Sequence, residues 1–368
     1  MTMKIIECMG DGRARGRAHG EEARDLVRAA LHRWEEAVLS PSKMPVERYV
    51  SNFLSRTGFV ATLSSLLPDL LMEMHGIAEG ARVPADHIVA YNFMDEQWWY
   101  GLENAATIEL GCSVIGVAGS KSANRPTLLA QNMDLPGFMD GSQLALRIRA
   151  PGEPEALVFT SAGLIGLTGI NCAGVAICVN TLLMLKHAPT GLPVAAVFRG
   201  ALRHERLDGA ATFLQSVPHA SGQHYAIGSS EGIVGLECSA AGVVISSQIG
   251  RPNLTHTNHP LASDDIDSTI FKRLDDRGRI RNSKRRLNFL NERIGTLGDP
   301  SDARRILADR SVPICVVPTP ERSTQTFGSV LFELTEPPQA SFCLGLPTID
   351  KWSVLSWTAN HQRPENVH

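Results

Sequence analysis

The sequence lacks the features that mark several classes of protein. Its seven cysteines are odd in number and include no Cys-x-x-Cys pair, so neither a disulfide framework nor a paired-thiolate metal site is indicated, and we expect free thiols in a reducing compartment. The 35 basic and 38 acidic side chains leave a formal charge of -3, which excludes a global basic field for nucleic acid. Residues 1–8 hold no long apolar core before a small-residue cleavage site, so we expect no signal peptide and a cytoplasmic protein.

Long apolar runs are scarce too, with one exception. From Ala156 to Leu185 there is no charged residue, and this length would be enough to cross a membrane. Glycines and asparagines interrupt the stretch, and the Asn171–Gly174 segment is typical of a turn. We therefore favour two buried strands joined by that turn, and expect no membrane span.

What is present is a hydrophobic content of 43%, enough for a sizeable core. The first third has helical periodicity, and a helix is predicted over 21–38 with Glu21 and Glu22 at its N-terminus. Further helices are predicted over 52–74, with a break near Pro68, and after Pro84, which suits a first helical turn.

From Cys112 onward the pattern changes to short strands. They are predicted over 112–118, 127–132, 144–149, 157–160, 164–168, 175–180, 233–238, 243–247, 314–317, 329–334 and 342–345. Helices are predicted over 194–207, 209–217 and 282–294. Two β blocks that flank a helical pair, with helices at either end, indicate an α+β fold in which stacked sheets lie between helical layers, after a mainly helical N-terminal segment.

In the Leu110–Val117 stretch, Cys112 directly follows a glycine and lies at the start of a predicted apolar strand. A thiol has a reference pKa of about 8.5 and needs help to act as a nucleophile at neutral pH. An α-amine, with a reference pKa of about 7.7–8.0, would serve as the base if the chain were cut before Cys112. Gly111 suits such a cut because it has no Cβ to keep the thiol from its carbonyl group. Spacing alone, however, favours a small buried strand residue.

Three segments carry a resemblance to a known family: Gly111-Cys112-Ser113, Gln131-Asn132-Met133-Asp134 and the run from Ala162 to Ala176. They resemble the penicillin acyltransferase family, also called the acyl-coenzyme A:6-aminopenicillanic acid acyltransferase family or the C45 self-cleaving peptidases, within the N-terminal-nucleophile hydrolases. Further blocks that look like this family's lie in the same order at Arg13–Gly20, Gly76–Gly80, Asn92–Glu96, Thr257–Leu261, Ser283–Arg286 and Gly345–Thr348. No single block is specific, but the ordered set covers nearly the whole chain.

The resemblance implies a four-layer αββα sandwich and self-cleavage between Gly111 and Cys112. The products would be a mainly helical N-terminal fragment, residues 1–111, and an αββα catalytic fragment, residues 112–368, which remain one folded unit as a heterodimer. An acyl group from an amide or thioester would then pass through an acyl-cysteine to water or to an amine.

The resemblance also implies roles for three residues. Cys112 would be the nucleophile, Asp134 the carboxylate that orients its amine, and Asn258 the donor of the oxyanion hole. Without the resemblance, Asp134 would be a turn-capping residue before Pro136, and Asn258 a turn or cap residue. Related bile-salt and penicillin V amidases usually carry arginine where Gln131 stands, whereas the acyltransferases share the glutamine, so the acyltransferase branch is favoured.

Four further residues match the family's blocks less closely, as substrate or oxyanion contacts: Asn180, Arg286, Thr326 and Ser329. Asn180 would equally suit a structural role at a strand end. Ser283 and Arg286 match a recurrent helix motif, but a solvated helix face is the simpler interpretation. Thr326 and Ser329 lie in the block that supplies late site residues in relatives.

Three other patterns suggest chemistry but have ordinary explanations. His256 and His259 have a metal-like spacing, yet no helix or third ligand supports zinc, and no metal is expected. The run from Lys272 to Arg286 holds eight basic residues; we expect it to bind no nucleic acid, and contact with a phosphate-bearing acyl donor is the alternative. The aromatic run Trp98–Tyr100 is expected in the core or between the two fragments, with the wall of an acyl pocket as the alternative.

These observations predict a self-processing N-terminal cysteine amidohydrolase or acyltransferase. We favour hydrolysis of a small, linear, non-peptide amide at its C–N bond, because water is always available and nothing specifies a second acceptor site. An acyl-coenzyme A-dependent N-acyltransferase is the first alternative, and an uncleaved binding protein on the same fold is the second. No cofactor is expected, and acyl-coenzyme A would enter only as a co-substrate. The expected partners are a small amide and the chain's own N-terminal fragment, with a homo-oligomer left open.

Overall fold

The computed structural model of the chain describes residues 3–101, 111–119, 125–320 and 322–358. The helices in these ranges are α1 (Gly12–Glu22), α2 (Arg24–Ser42), α3 (Val46–Arg56), α4 (Phe59–Leu66), α5 (Pro68–Ala81), α6 (Ala85–Asn92), α7 (Met94–Gly101), α8 (Val194–Ala201), α9 (Leu207–Ser216), α10 (Ser268–Asp276), α11 (Arg279–Arg293) and α12 (Pro300–Leu307). The strands are β1 (Ile5–Met9), β2 (Gly111–Val117), β3 (Thr127–Leu135), β4 (Gln143–Arg149), β5 (Ala156–Ser161), β6 (Thr168–Asn171), β7 (Ala176–Thr181), β8 (Gln223–Ser229), β9 (Gly232–Ser239), β10 (Gly242–Ser247), β11 (Asn253–His256), β12 (Gln325–Leu334), β13 (Gln339–Leu344) and β14 (Ser353–Leu355).

The strands form two sheets. The first has the order β1-β4-β5-β6-β7-β8-β9-β10, and the second has the order β11-β2-β3-β12-β13-β14. Neighbouring strands in these sheets run antiparallel, except that β1 runs parallel to β4. The nucleophile candidate therefore stands near the start of β2, inside the second sheet.

Successive side chains along the strands of the second sheet lie in two separate cores. Val114 and Leu129 belong to the main core, which they share with the first sheet and the helices from α2 to α9. Ile115 and Leu128 belong to a smaller core with residues of α11 and α12, such as Leu290. Because successive strand residues point to opposite faces, each face of this sheet is covered by a different layer. The expected α+β sandwich of αββα type is confirmed.

Helices α1 and α5 pack with their backbones in contact. Gly12, Gly16 and Gly20 face α5, where a Cβ on Gly16 would overlap the carbonyl oxygen of Glu73. The same interface buries Arg15, whose Nε donates to the Glu73 carboxylate at 2.9 Å. The glycines allow the close approach, and the ion pair satisfies the charge that it buries.

The predicted start of the first helix was wrong. Glu21 and Glu22 end α1 rather than beginning a helix, and the side chain of Asp11 caps α1 by accepting from the Ala14 backbone at 2.8 Å. The glycine-rich segment before Glu21 has poor helix propensity, but packing against α5 overrides it. The strand β1 ahead of it was also missed.

Two predicted strands were wrong. Residues 164–167 form no strand, and β6 begins only at Thr168, because Gly163 has a φ of +94° that breaks an extended run. Residues 314–317 form no strand; the Val316 backbone instead donates to the Thr326 hydroxyl at 2.8 Å. Strands β8, β11 and β14 were not predicted, since their short or evenly buried stretches show no clear alternation.

The uncharged stretch from Ala156 to Leu185 contributes β5, β6 and β7 to the centre of the first sheet. Its turn at Asn171–Gly174 is confirmed, and Gly174 has a φ of +90°. Within the described ranges, no helix has both the length and the apolar character that crossing a bilayer requires.

Candidate active site

Cys112 lies at the start of β2, beside β3 on one side and the end of β11 on the other. In the β2–β3 ladder Gly111 pairs with Asp134 and Cys112 with Met133. In the β11–β2 ladder His256 pairs with Val114, so the chain that leaves β11 passes directly by Cys112. The Cys112 side chain is only 6% exposed, and Gly111 and Cys112 are consecutive residues of β2.

Asn258 contacts the backbone nitrogen of Cys112. Its Oδ1 accepts from Cys112 N at 2.7 Å and from Arg286 Nη2 at 2.9 Å, and its Nδ2 donates to the Thr181 carbonyl at 3.0 Å. Two donors on one side and an acceptor on the other fix the orientation of the amide group. The Asn258 amide therefore faces the backbone nitrogen of Cys112 through its acceptor, and its role as oxyanion donor stays a prediction.

Ser283 holds the Asn258 loop. Its hydroxyl oxygen lies 2.9 Å from Thr257 Oγ1 and 2.7 Å from His259 Nδ1, and it accepts from the Asn258 backbone at 2.8 Å. This buried residue of α11 thus positions the loop without touching Cys112.

Arg286, one turn further along α11, reaches the backbone of the candidate nucleophile. Its Nη1 donates to the Cys112 carbonyl at 2.6 Å and to Ser113 Oγ at 3.1 Å, while Nε donates to Asn282 at 3.0 Å. The residue is 2% exposed, so the predicted solvated helix face is wrong for this position. The reason is that α11 packs on the outer face of the second sheet, which turns this position toward β2.

Asp134 lies within β3, so the turn-capping interpretation is wrong. Its Oδ1 accepts from Thr326 Oγ1 at 2.7 Å, and its Oδ2 is buried with no hydrogen-bond partner in the described part of the chain. A Cβ built on Gly111 would lie 2.8 Å from Oδ2, so this oxygen faces the candidate cleavage bond. Burial raises the pKa of Asp134 to about 7, against the opposing effect of the Arg286 charge and the Thr326 hydrogen bond.

The Cys112 thiol is not activated in this state. Burial, and to a lesser extent the Asp134 carboxylate, raise its pKa to about 12, against the opposing effect of the Asp134 backbone N–H. A neutral thiol needs a base to become a nucleophile.

The remaining predicted residues have different surroundings. Thr326 joins the site through Asp134. Ser329 donates to Asn132 at 2.6 Å, and Asn132 in turn donates to the backbone carbonyls of Leu307, at the end of α12, and of Ile314. Ser329 thus supports the outer helical layer. Asn180 Oδ1 lies 3.2 Å from His224 Nδ1, and Asn180 lines neither cleft at Cys112. Contact between Ser329 or Asn180 and substrate stays a prediction.

Two clefts meet at the Gly111–Cys112 bond. One is mostly apolar, reaches Cys112, and is lined by Asp95, Met133, Leu164, Val179, Thr181, Phe198 and their neighbours. The other reaches Gly111 and Asp134, and is lined by four arginines: Arg277, Arg279, Arg286 and Arg322. The arginine cleft includes part of the basic run noted in the sequence.

Gln131 ties the two sheets together beside the site. Its side-chain amide donates to the carbonyl of Val179, and its Oε1 accepts from Val179 N at 3.3 Å. The pairing of β7 with β6 stops at Ile177, so the glutamine supplies the partner that the Val179 peptide group would otherwise lack.

The histidine and tryptophan patterns have structural explanations here. His256 bonds Glu237 at 2.9 Å, and its ring stacks on His224. The described residues include no group of three or more His, Cys, Asp and Glu side chains that could hold a metal ion. Trp98 and Trp99 are buried in the main core, which confirms the core interpretation for both; the Tyr100 side chain lies outside the described residues.

Asp95 and Thr181 line the apolar cleft at Cys112, and neither was named as a site residue from the sequence. Asp95 stands in the Asn92–Glu96 block already noted, and Thr181 ends β7 directly after Asn180. No motif marks either residue. They are brought together only because α7 packs against the end of β7, where Thr181 Oγ1 donates to Asp95 Oδ2 at 3.0 Å.

Two stacked sheets between helical layers, with a cysteine at the start of a central strand, define the αββα class of the N-terminal-nucleophile hydrolases. The family model described as acyl-coenzyme A:6-aminopenicillanic acid acyl-transferase matches residues 120–348, and the chain belongs to this family. Because this is a family of acyltransferases, the chain is an enzyme. The match includes Asp134, Asn258 and Arg286 but begins after Cys112, so it does not cover the candidate cleavage bond.

The chain is also similar to individual proteins. The acyl-coenzyme A:6-aminopenicillanic-acid-acyltransferase 40 kDa form of Emericella nidulans is 28% identical over 262 residues, which cover 70% of each chain. Among solved structures, penicillin V acylase from Agrobacterium tumefaciens is 15% identical, with 63% of this chain and 83% of that chain covered and a TM-score of 0.37. A variant of conjugated bile acid hydrolase from Clostridium perfringens is 12% identical, with 66% and 97% covered and a TM-score of 0.44.

Proposed function

We propose that the chain cuts itself between Gly111 and Cys112 and then works as an N-terminal cysteine amide hydrolase. The observation that carries this proposal is the setting of that one bond. The Asp134 carboxylate faces Gly111 on one side, and on the other the Asn258 oxygen holds the nitrogen of Cys112 at 2.7 Å. Both groups are chemically suited to a nitrogen that is to become an amine.

Self-cleavage would begin with attack of Cys112 Sγ on the Gly111 carbonyl carbon. The carbon–nitrogen bond breaks, the thiol proton passes to the departing nitrogen, and a thioester joins Gly111 to the sulfur. Asp134, whose pKa burial raises to about 7, is suited to take up and return that proton. Water then hydrolyses the thioester, leaving a carboxylate on Gly111 and a free thiol and α-amine on Cys112.

In the processed enzyme the α-amine would replace the missing base. It removes the thiol proton as sulfur attacks the carbonyl carbon of a small linear amide, and returns a proton to the departing amine as the C–N bond breaks. Water hydrolyses the acyl-cysteine to a carboxylic acid. In its present orientation the Asn258 side chain would accept a hydrogen bond from the amine. To act as the oxyanion donor instead, Asn258 would have to release the hydrogen bond from its Nδ2 to the Thr181 carbonyl.

The two products are proposed to stay together as a heterodimer. Residues 1–111 and 112–368 share the main core, and polar contacts cross between them. Trp99 Nε1 donates to the Leu183 carbonyl at 3.1 Å, and Glu96 accepts from Val194 N at 2.9 Å. Cutting one bond in β2 would leave these contacts intact.

The arginine cleft favours a second function, transfer of the acyl group from acyl-coenzyme A to an amine. Guanidinium groups pair well with phosphate oxygens, and Arg277 and Arg279 lie beside Gly111 and Asp134 in this cleft. Acyl-coenzyme A would then be a co-substrate of the same acyl-cysteine. Adding an acyl thioester with and without a small amine, and measuring amide against free acid, separates transfer from hydrolysis.

The proposal is tested by the size and N-terminus of the purified protein. We expect wild-type chain to give two fragments on a denaturing gel, one with an N-terminal sequence that begins at Cys112. Cys112→Ala should remain a single chain, and Cys172→Ala, which changes a half-buried turn cysteine, should cleave normally. A wild-type protein that stays intact during mild incubation would exclude self-processing and favour an uncleaved binding protein. A screen of small N-acyl compounds with Cys112→Ser as the blank then tests amide hydrolysis.

A further inference from the structure

A buried acid of the first sheet holds the chain that leaves β11 of the second. Glu237 lies in β9, is 1% exposed, and accepts hydrogen bonds from three consecutive backbone nitrogens of that chain. The distances are 2.6 Å from Leu261 N, 3.1 Å from Ala262 N and 2.7 Å from Ser263 N. Burial acts to raise the pKa of Glu237, but the hydrogen bonds from His256 and from two of these backbone N–H groups lower it below its usual value. The carboxylate is therefore ionised.

His256, the last residue of β11, has an acceptor at each ring nitrogen. Its Nδ1 lies 2.7 Å from the carbonyl oxygen of Thr257, and its Nε2 lies 2.9 Å from Glu237 Oε1. A carbonyl oxygen and an ionised carboxylate only accept hydrogen bonds, so both ring nitrogens must carry hydrogen. His256 is therefore an imidazolium, and with Glu237 it forms a buried ion pair between the two sheets.

The two histidines nearest to His256 are neutral. The ring of His224, on β8, stacks on His256 with centroids 3.6 Å apart, and burial, followed by the charge on His256, lowers the pKa of His224 well below its usual value. Burial also lowers the pKa of His259 to about 4, and nearby charges act in the same direction: those of His256, Lys284 and Arg286. The positive charge of this histidine cluster thus lies on His256.

The ion pair anchors the chain on both sides of Asn258. On one side the His256 ring holds the Thr257 carbonyl, and on the other Glu237 holds the backbone of residues 261–263. Between these anchors, Asn258 Oδ1 accepts from Cys112 N at 2.7 Å. Removing one partner of a buried ion pair leaves the other charge uncompensated, so the loop would have to rearrange. Through Asn258, such a rearrangement would reach the candidate cleavage bond.

We propose that Glu237 is a positioning residue for the reaction at Cys112. It acts through the charge on His256, which fixes the loop of Asn258 between the two sheets. This inference rests on the proposed function for the reaction itself, whereas the contact that Glu237 is to maintain, between Asn258 and Cys112 N, is measured without any cleavage.

The charge on His256 is tested in the Cys112→Ala chain by nitrogen-15 NMR of the histidine rings. The His256 signals are assigned from their loss in His256→Gln. At pH 7 we expect hydrogen on both ring nitrogens, and one bare nitrogen after Glu237→Gln is added. A bare nitrogen while Glu237 is present would overturn the inference, and this measurement needs no variant of Glu237 to fold. Two protonated nitrogens without Glu237 would overturn it as well.

The contact itself is tested by hydrogen exchange of the backbone N–H at position 112 in the same Cys112→Ala chain. We expect Glu237→Gln to speed this exchange about tenfold or more, because the acceptor on Asn258 moves away. The N–H of Val158, in the centre of the first sheet, reports global unfolding and should exchange as before. Glu231→Gln, the same change at an exposed turn before β9, should alter neither rate. An unchanged rate at position 112, or an equal rise at Val158, contradicts a positioning role.

The pH dependence of self-cleavage separates the charge from a purely structural effect. Unprocessed chain is refolded from inclusion bodies into buffers from pH 6 to pH 9, and fragment ratios give the rate. A cleft lined by Arg251 reaches His256, so its proton can exchange with solvent. Cleavage should slow at high pH as His256 loses that proton, and in Glu237→Gln this decline should begin about one pH unit lower or more, because the anionic partner is missing.

A Glu237→Gln rate that is lower by the same factor at every pH would make Glu237 a structural residue and overturn the inference. If the wild-type chain does not cleave at all, the proposed function fails, and hydrogen exchange at position 112 still decides whether Glu237 positions Asn258.

Discussion

The side-chain oxygen of Asn258 accepts a hydrogen bond from the backbone nitrogen of Cys112 at 2.7 Å. The two residues are far apart in sequence and meet because β11 pairs with β2 and ends beside Cys112. Arg286 fixes the same oxygen from the other side and also holds the Cys112 carbonyl. Cys112 is thus held through its backbone N–H, which belongs to the candidate cleavage bond, and through its carbonyl oxygen, which belongs to the next peptide group.

Replacing Asn258 should separate its two proposed roles. Asn258→Asp keeps an oxygen toward Cys112 N and Arg286, whereas Asn258→Ala removes it and leaves a buried guanidinium group short of a partner. We expect the alanine variant to cleave itself about 10- to 100-fold more slowly than the aspartate variant in a cell-free expression time course. Once processed, the aspartate variant should lose about 100- to 1,000-fold in kcat if Asn258 supplies the oxyanion donor. Equal cleavage rates of the two variants would contradict the acceptor role.

A methyl group on Gly111 should slow cleavage. The added Cβ of Gly111→Ala would lie 2.8 Å from Asp134 Oδ2, so the carboxylate or the strand must shift away from the reacting bond. We expect cleavage at least about tenfold slower, since a small displacement of reacting groups is enough to cost that much. The half-time is read from fragment ratios on denaturing gels. Gly242→Ala is the control, because a Cβ there meets open space; normal cleavage of Gly111→Ala would show that Asp134 does not need its present position.

The sequence predicted elements whose pattern lies within one segment, and it failed for elements whose structure depends on packing against distant segments. The apolar run from Gly111 to Val117, the turn at Asn171–Gly174 and the charged helix near Leu290 each follow from spacing within one segment. The helix α1 could not be predicted in the same way, because Gly16 costs helical stability by itself and is required only by the approach of α5.

In the candidate site, too, residues with a local sequence pattern were predicted, and residues whose position depends on packing were not. Asp134, Asn258 and Cys112 were named from family blocks, and the structure brings all three to one bond. Arg286 was expected on a solvated face because its helix is strongly charged, and only the packing of α11 on β2 reverses that expectation. Asp95 lies in a family block but was given no role there, since the cleft that it lines is assembled from both halves of the chain.

The stability of the uncleaved chain should depend on the protonation of Asp134. Burial raises its folded pKa to about 7, above an unfolded value of about 3.9, so the folded state binds the proton more tightly. Its stabilising contribution is therefore complete below about pH 4 and is lost as the pH rises through about 7. We expect Asp134→Asn in the Cys112→Ala chain to reduce the fall in unfolding free energy between pH 5 and pH 8 by up to a few kcal/mol. Denaturant titrations at both pH values measure this, and an unchanged fall would show that Asp134 is not the group that titrates.

The contact between α1 and α5 should be intolerant of a single methyl group. In Gly16→Ala the new Cβ would overlap the Glu73 carbonyl oxygen, which belongs to the backbone of α5 and cannot rotate away. The helices must move apart, which increases the distance between the buried side chains of Arg15 and Glu73. We expect a loss of about 3 kcal/mol or more in unfolding free energy of the Cys112→Ala chain, measured by denaturant titration. Gly295→Ala, where a Cβ meets open space, should change that free energy by less than about 1 kcal/mol. Similar values for the two variants would mean that α1 and α5 do not touch through their backbones, and that the family block at Arg13–Gly20 owes its glycines to something other than this packing.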